Sequence, residues 1–319
     1  MIIITEDIVT EIFCIADDFC KVFDTQMEKY TIKSNLNSCK ILFFFVFLQK
    51  RNKMLYSIIT INFNNCDGLR RTIESVVNQT NDNYEYIVID GGSTDGSVDV
   101  IQKYSDRISY WVSEKDDGIY NAMNKGVMQA HGDYCLFLNS GDSFYDKHVL
   151  NKNLLSDNKS DIVVGRLVSD SDGRELFSPP SDDISMYYFY TSTLPHQASF
   201  IKTKLLKQYP YDESLKIVSD WKFFVDMIII HQCSVRFVDI KIAKFDMNGV
   251  STSDTQKTWE EKYSVLQRML PYRVLIDYKR MKSSECLTQQ LSPQLRKHYK
   301  LDKIVSRLVK MFIIIYNRL

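Results

Sequence analysis

Two short apolar runs that each stop at an aspartate constrain the fold of this chain more than any other feature. Residues 86–96 read Tyr-Ile-Val-Ile-Asp-Gly-Gly-Ser-Thr-Asp-Gly, and residues 136–142 read Leu-Phe-Leu-Asn-Ser-Gly-Asp. Buried parallel strands are continuous apolar runs, and open α/β sheets bind ligands at the edge where such strands end. We therefore expect Asp90 and Asp142 at one edge of a parallel sheet, in a site with room for a polar ligand and a metal ion.

The segments around these two runs alternate between strand and helix patterns. Residues 57–62 form a β-branched run, and apolar residues then recur at helical spacing up to about Gln79. Further strands are predicted at 86–90, 108–112 and 134–138, with amphipathic helices between them. Such alternation predicts an α/β fold with helices flanking a Rossmann-like, mostly parallel central sheet.

Beyond Asp142 the alternation loosens. The pattern there predicts two more strands, at 162–165 and 235–243, and two helices, at 186–190 and 218–230. From Trp259 onward the chain is helical in pattern and increasingly basic. We therefore divide the chain into an extension, an α/β domain and a basic helical tail, with bounds 1–53, 54–255 and 256–319.

The extension differs in composition from the rest of the chain. It lacks glycine and proline and ends in an eight-residue apolar run at 41–48. That run is too short to span a bilayer, and no small-residue cleavage site follows it. Either it binds a membrane or a partner, or it is a poorly packed leader upstream of a domain that opens at Met54.

The charge balance, the cysteine pattern and the length of the apolar runs argue against several classes of protein. Lysine plus arginine equals aspartate plus glutamate at 40 each, which argues against a nucleic-acid-binding protein. The seven cysteines are scattered and lack a C-x-x-C pair, so a disulfide framework or structural zinc site is not expected and a reducing cytoplasm fits best. The chain also has no apolar run of the roughly 18–20 residues that a membrane span requires.

Each aspartate motif has two interpretations when taken alone. Asp90, followed by two glycines, can accept hydrogen bonds from a ribose or base, or it can form an Asx-turn. The oxygen-rich loop 139–142 suits a hard divalent cation that also binds substrate phosphates, or it is a plain turn. Two carboxylates at strand ends in one Rossmann-like half favour the ligand-binding interpretation for both.

Taken together, the motifs resemble family 2 glycosyltransferases. The resemblance rests on the order and spacing of segments across roughly 56–255, and its most specific parts are 57–64, 72–80, 88–96, 124–126 and 132–142. The stretch Ser113-Glu-Lys-Asp-Asp-Gly-Ile-Tyr-Asn-Ala-Met-Asn-Lys-Gly126 is similar to the bacterial branch that builds surface polysaccharides such as O-antigen. The resemblance implies a GT-A fold, a nucleotide-diphosphate sugar donor (a UDP-sugar in the first place), a Mg²⁺ or Mn²⁺ ion and inversion at the anomeric carbon.

The resemblance also implies a donor-binding set drawn from strand ends and the loops that follow them: Ile61, Asn62, Asp90, Asp117, Lys125, Ser140 and Asp142. Within this set Ile61 and Asn62 would border the nucleobase, Asp90 would contact the nucleoside, and Asp142 would bind the metal. Three positions depart from the family pattern: glycine at 141 replaces a common aspartate, isoleucine at 61 a common proline, and Met123 a common arginine. The glycine at 141 affects the expected metal affinity, and Met123 affects an expected contact with the diphosphate.

On the acceptor side, the resemblance assigns Asp220 as the catalytic base. Its other interpretation is a residue near a helix start, stabilised by the helix dipole. His196 would line the acceptor or phosphate site, or be a structural histidine. Trp221 would stack on a sugar, or pack in the core. The segment 245–251 would form a loop over the donor with Gly249 as a pivot, or be a plain connection.

The basic tail mixes cations with apolar residues from Arg296 to the C-terminus. Such a helix can lie on the anionic inner face of a cell membrane, which suits a glycan acceptor carried on a lipid, or it can dock on the core. The sequence therefore predicts a cytoplasmic, membrane-associated inverting glycosyltransferase. Two rivals are a nucleotide-sugar-binding protein without catalysis and a nucleotidyltransferase, although residues 62–68 do not form the phosphate loop that the latter needs.

Overall fold

Four parallel strands form the first half of the sheet, and they come from the alternating part of the sequence. The computed structural model describes residues 56–151, 154, 160–180, 184–247, 255–296 and 308. The four strands are β1 (Tyr56–Asn62), β2 (Tyr84–Asp90), β3 (Tyr110–Ser113) and β4 (Tyr134–Phe137). They lie in the order β3–β2–β1–β4, with Asn62 opposite Asp90 and Asp90 opposite Ser113. The predicted parallel block is confirmed, and its strand ends meet at one edge.

The second half of the sheet mixes strand directions. Its strands are β5 (Ser143–Phe144), β6 (Ile162–Ser169), β7 (Glu175–Phe177), β8 (Ser199–Lys202) and β9 (Val235–Phe245). The order continues β4–β8–β6–β9–β5, and β8 is antiparallel to both neighbours. The strands predicted at 162–165 and 235–243 are present and extend further, because β6 and β9 pair with each other through two register shifts.

Helices cover both faces of this sheet. In chain order they are α1 (Cys66–Val77), α2 (Ser97–Lys103), α3 (Ile119–Gln129), α4 (Met186–Thr191), α5 (Thr203–Gln208), α6 (Ser219–Val225), α7 (Thr255–Met269) and α8 (Tyr272–Arg296). The segment Asp226–Ile230 extends α6 with π-helical hydrogen bonds, so the helix predicted at 218–230 is confirmed with a widened last turn.

Strand alternation divides the core into two parts. Ile59 and Ile87 face α3, whereas Ile58 and Tyr86 face α1 and α2, and all four are fully buried. Helix α3 approaches β1 closely at Gly126, where an added Cβ atom would lie 2.5 Å from Cγ2 of Ile59. The ends of β1 and β2, which carry Asn62 and Asp90, are thus held between two packed layers.

Helices α7 and α8 contribute to the same core. Val265, Leu266 and Leu275 are buried in the cluster that also contains Trp221 and Phe224 of α6. The start of the predicted tail therefore packs against the sheet domain, and Tyr278 continues this contact against Tyr187 and Tyr190 of α4.

Several predictions fall outside the described residues: the extension 1–53, the pivot at Gly249 and the tail beyond Arg296, apart from Leu308. Within the described part of the chain, no helix is both long enough and apolar enough to cross a bilayer.

Candidate active site

A cavity of about 870 Å³ opens at the edge where β1, β2 and β4 end. This volume lies within the range of small-molecule sites, which commonly occupy this edge of α/β sheets. The cavity brings together six of the predicted site residues: Ile61, Asn62, Ser140, Asp142, His196 and Asp220. The donor side and the acceptor side of the prediction thus share one cavity.

Asp90 lies at the end of β2 and is fully buried. Its Oδ1 accepts hydrogen bonds from Nδ2 of Asn62 at 2.7 Å and Oγ of Ser93 at 2.6 Å, and its Oδ2 accepts from the Ser93 amide at 2.9 Å and Oγ of Ser113 at 2.6 Å. Burial alone would raise the pKa of Asp90, but these four hydrogen bonds hold it below its usual value. The carboxylate is ionised, and its acceptor capacity is filled by the protein itself.

The amide of Asn62 is oriented by this network. Because Nδ2 donates to Asp90 and, at 3.2 Å, to Ser93, the oxygen Oδ1 is left without a partner although Asn62 is buried. A buried acceptor without a partner costs about 1–3 kcal/mol. Asn62 lines the cavity, so a ligand that donates a hydrogen bond to it would recover this cost.

Asp142 closes the turn after β4, because its amide donates to the Asn139 carbonyl at 2.9 Å, and β5 begins at the next residue. Asp142 is 4 % exposed, and its Oδ1 accepts a 3.1 Å hydrogen bond from the Asp246 amide. Burial raises the pKa of Asp142 to about 7; the Asp246 amide, the charge of His196 and a hydrogen bond from Gln197 lower it, and the charge of Asp246 adds to the rise. The site therefore disfavours an uncompensated negative charge on Asp142, and a bound cation would reverse this preference.

Asp246 comes from the end of β9, which pairs antiparallel with β5. Its Oδ2 lies 3.1 Å from Nη2 of Arg71 on α1, and 2.8 Å from the point where a Cβ atom at position 141 would lie. Gly141 has a φ of +109°, in the region that favours glycine. The positive φ of Gly141 and the nearby Asp246 carboxylate thus both disfavour a larger side chain at position 141.

Asp220 begins the first turn of α6, as predicted, and is held from two sides. Oη of Tyr120 donates to Oδ1 at 2.9 Å, and Nδ1 of His196 lies 2.9 Å from Oδ2. Burial would raise the pKa of Asp220, but the hydrogen bond and charge of His196, together with the Tyr120 hydroxyl, lower it overall. An ionised carboxylate only accepts hydrogen bonds, so Nδ1 of His196 carries a proton.

His196 connects Asp220 to the end of β4. Its Nε2 lies 3.3 Å from Nδ2 of Asn139, whose Oδ1 is buried without a partner. The contacts from Asp220 through His196 to Asn139 fix the distance between the base and the loop that carries Asp142. His196 therefore has a structural contact and a place in the cavity wall at once.

A carboxylate from α7 supports the approach to Asp220. Oε1 of Glu261 accepts from the Lys216 amide at 2.7 Å, and Oε2 accepts from the amides of Ile217 and Val218 at 2.7 and 3.0 Å. These three amides immediately precede α6 and would otherwise lack partners at its start. The predicted tail thus supplies the group that orders the segment before the base.

Four predicted site residues do not line the cavity, and one of them is Asp90, which is buried behind the cavity wall and bonded to Asn62. Asp117 is exposed, and its neighbour Asp116 faces the cavity instead. Lys125 forms ion pairs with Asp116 at 2.8 Å and Glu114 at 2.7 Å. The stacking role predicted for Trp221 lacks a free ring face, because its indole is 3 % exposed and its Nε1–H donates to the Phe189 carbonyl at 2.9 Å.

The cavity also contains residues that the sequence did not single out, namely Arg71, Lys115, Asp116, Tyr120, Lys216 and Asp246. Asp116 lies one position before Asp117, so the sequence-based prediction missed the cavity residue by one position. Tyr120 and Asp246 act on residues 100 and 104 positions away, and no local pattern signals such pairs.

The donor atoms near Asp142 suit a hard divalent cation. Such ions are commonly held by one or two carboxylates together with waters and substrate phosphates. Among the described residues, no group of three His, Cys, Asp or Glu side chains is arranged to hold a metal without help. The unpartnered Oδ1 of Asn139 and the buried carboxylate of Asp142 fit an ion that is completed by a substrate's phosphates.

Structural comparison relates the fold to known enzymes. The chain superposes on TarS of S. aureus with a TM-score of 0.51 at 18 % identity, over 60 % of this chain and 37 % of the TarS chain. A 1–349 fragment of TarS in complex with UDP-GlcNAc gives a TM-score of 0.51 at 20 % identity, over 60 % of this chain and 58 % of that one. The chain thus spans little more than a third of full-length TarS, and at this identity the likeness establishes the GT-A fold.

Sequence comparison gives closer relatives. The chain is 33 % identical to an uncharacterised glycosyltransferase of Mycobacterium tuberculosis over 205 residues, which cover 61 % of this chain and 76 % of that protein. It is 25 % identical to the PGL/p-HBAD biosynthesis glycosyltransferase of Mycobacterium bovis over 223 residues, or 67 % of this chain and 86 % of that protein. The profile of Glycosyl transferase family 2 matches residues 57–217, just over half of the chain and the whole parallel block. This chain is therefore a member of glycosyl transferase family 2.

Proposed function

We propose that this glycosyltransferase inverts the anomeric carbon as it moves a sugar from a nucleotide diphosphate to a hydroxyl of a glycan acceptor. The observation that carries the proposal is the shared cavity of Asp142 and Asp220, in which one carboxylate is buried and the other is ionised between Tyr120 and His196. A single base opposite a leaving group is what one direct displacement requires.

The proposed reaction is a single displacement at the anomeric carbon. The acceptor oxygen forms a bond to the anomeric carbon while the bond from that carbon to the phosphate oxygen breaks, and the nucleoside diphosphate leaves with the electron pair. Asp220 takes the proton of the acceptor hydroxyl. Its contacts to Tyr120 and His196 hold the carboxylate in place and keep it ionised at neutral pH. Asp142 would hold Mg²⁺ or Mn²⁺, which supplies compensation for the charge of the leaving diphosphate.

At the nucleoside end, Asp90 acts by positioning. Because its own acceptors are filled, it holds Asn62 so that Oδ1 of that amide remains available to a donor on the ligand. Uracil and guanine both present a ring N–H, and this chemistry supports a UDP-sugar as the first candidate donor. TarS, which shares the fold, has been solved with UDP-GlcNAc.

The acceptor is proposed to be a glycan on a lipid, in surface-polysaccharide synthesis of the O-antigen or capsule type. The M. bovis relative is named for PGL/p-HBAD biosynthesis, which supports an envelope-related role. The scattered cysteines support a cytoplasmic enzyme, and the basic residues after 296 support peripheral attachment to the inner face of the membrane.

The test measures donor binding and donor turnover separately. We expect UDP-sugars with Mn²⁺ to raise the melting temperature of the full chain and to release UDP slowly. Asp220→Asn should keep the donor-induced stabilisation and lose turnover by about 10²-fold or more, which is typical for a removed general base. Asp226→Asn, one to two turns along the same helix segment and paired with Lys222, is the matched control and should keep both.

The rival functions give different results in the same assay. A non-catalytic binding protein would show donor-induced stabilisation without UDP release in any variant. A nucleotidyltransferase would release pyrophosphate from a nucleoside triphosphate. Either result contradicts the proposed reaction.

A further inference from the structure

The glycine at position 141 has a structural counterpart across the sheet. Strands β5 and β9 pair with Ser143 opposite Lys244 and Phe144 opposite Ala243. Extending this antiparallel register by two residues brings Asp246 opposite Gly141. The contact agrees with the register, because an added Cβ at 141 would lie 2.8 Å from Oδ2 and 3.1 Å from Cβ of Asp246. The Asp246 carboxylate therefore occupies the space in which a side chain at 141 would begin.

Asp246 is also tied directly to Asp142. Its amide donates to Oδ1 of Asp142 at 3.1 Å, and both residues line the same cavity with Asn139. The two carboxylates thus reach one corner of the cavity from different strands. Oδ1 of Asn139, in the same turn as Asp142, is buried without a partner.

The two carboxylates at this corner differ in their ion pairs. Arg71 lies 3.1 Å from Asp246, while Asp142 forms no ion pair in the part of the chain that the structure describes. The carboxylate without a described ion pair, Asp142, is also the more deeply buried of the two. Carboxylate and amide oxygens are the ligands that Mg²⁺ and Mn²⁺ prefer.

From this geometry we infer that Asp246 is the second carboxylate of the divalent-cation site and supplies from β9 the charge that Gly141 does not. The inference rests on the proposed function, since the ion would be completed by the donor's diphosphate. It assigns Arg71 the role of neutralising Asp246 when no ion is bound. The metal site is thereby built from both halves of the sheet.

The test uses the full chain, Mn²⁺ and UDP at a saturating concentration, with free Mn²⁺ followed by electron paramagnetic resonance. Asp246→Asn keeps the shape of the side chain and removes its charge, and we expect it to weaken Mn²⁺ binding about tenfold. Arg71→Gln is the matched control, because it breaks the same ion pair and leaves the carboxylate. We expect it to bind Mn²⁺ as tightly as the wild type or more tightly, since a competing cation has been removed.

Two results would overturn the inference. In one, Asp246→Asn binds Mn²⁺ as tightly as the wild type. In the other, Asp246→Asn and Arg71→Gln weaken binding equally, which means that Asp246 serves only to hold Arg71. Neither result changes UDP release by the wild type, so the assay with Asp220→Asn tests the proposed function separately.

A second variant tests ligation by residue 246 through a new affinity for cadmium, which a purely structural role of Asp246 would not produce. Asp246→Cys replaces an oxygen ligand by a thiolate, which prefers soft ions. We expect its affinity for Cd²⁺ relative to Mn²⁺ to rise at least tenfold over the wild type, with ultraviolet absorption from a cadmium–thiolate bond. An unchanged ratio without this absorption, in a variant that melts cooperatively, contradicts ligation by residue 246.

Discussion

Asp142 shows how the environment of one residue decides its chemistry. A carboxylate that is 4 % exposed would ordinarily be paired with a cation, yet Asp142 accepts hydrogen bonds from the Asp246 amide and from the Gln197 side chain. Its pKa is accordingly raised to about 7. The residue is therefore prepared for a positive ligand, and it is strained electrostatically when that ligand is absent and the pH is high.

This strain predicts a pH-dependent difference between the wild type and Asp142→Asn. The pKa of Asp142 is 3.8 in an unperturbed chain and about 7 in the folded protein. The folded state therefore binds this proton more tightly, and its stabilising effect is lost as the pH rises through about 7. Measured by denaturant unfolding with a chelator, Asp142→Asn should gain stability relative to the wild type between pH 5 and pH 8. A constant difference across that range contradicts the assigned burial.

At the same scale, the sequence predicted the local features of the site and missed the distant contacts. Asp90 and Asp142 were singled out because each follows an apolar run, and Asp220 because it lies where the family resemblance places the base. Trp221 was placed next to the base by the sequence, but helical geometry turns it into the core. The contact between Asp246 and Asp142 joins residues 104 positions apart, so only the strand register reveals it.

At the scale of elements, the active site depends on helices that approach it from outside the parallel block. Helix α7 presents Glu261 to three backbone amides in front of α6, and α3 presents Tyr120 to the base itself. Sequence patterns located these helices but gave no sign of the groups they present. Spacing within an element predicts which face is apolar, whereas partners on another element depend on the packed structure.

Glu261 should act as a positioning residue for Asp220. Glu261→Ala removes three hydrogen bonds to backbone amides, and bonds to a charged group contribute about 1.5–3 kcal/mol each at most. We expect turnover to fall about tenfold while UDP affinity, measured by calorimetry, stays within about twofold of the wild type. Glu260→Ala is the control, because Glu260 is exposed and contacts only Gln256 among the hydrogen bonds of the described residues. Equal losses in both variants would show a general effect on α7.

The close approach of α3 to β1 gives a prediction on stability. In Gly126→Ala the new methyl group meets Cγ2 of Ile59 at 2.5 Å. Overpacking of this kind costs about 1–3 kcal/mol, and the better helix propensity of alanine returns up to about 1 kcal/mol. We expect a net loss of about 1–2 kcal/mol in urea denaturation. Met128→Ala, on the exposed side of the same helix, should change stability by less than about 0.5 kcal/mol.

For the molecule as a whole, the boundary predicted at residue 255 does not coincide with a boundary of the core. The basic composition of the segment after it suggested a separate tail. In the structure, however, Val265, Leu266 and Leu275 lie in the same cluster as the residues around α6. Composition reports the exposed surface of a helix well, but a few buried side chains decide whether that helix belongs to the domain.

Truncation tests this integration. A chain that ends at Asp254 loses the three buried aliphatic residues, each of which contributes roughly 1.5–3 kcal/mol. Their sum is comparable with the total stability of an ordinary domain. We expect this truncated chain to lack a cooperative thermal transition, whereas a chain that ends at Arg296 should retain it. A cooperative transition in the shorter chain would place α7 and α8 outside the domain.

The change of strand direction between β4 and β8 has a consequence for how such enzymes diversify. Ile61 and Asn62 of the cavity wall come from a parallel strand, whereas His196, Asp220 and Asp246 come from the segments after the parallel block. Substitutions in the later segments can therefore reshape one side of the cavity while the strand ends on the other side stay unchanged. This freedom has a limit, because any such change must keep His196, Asp220 and Asp246 in their positions in the cavity wall.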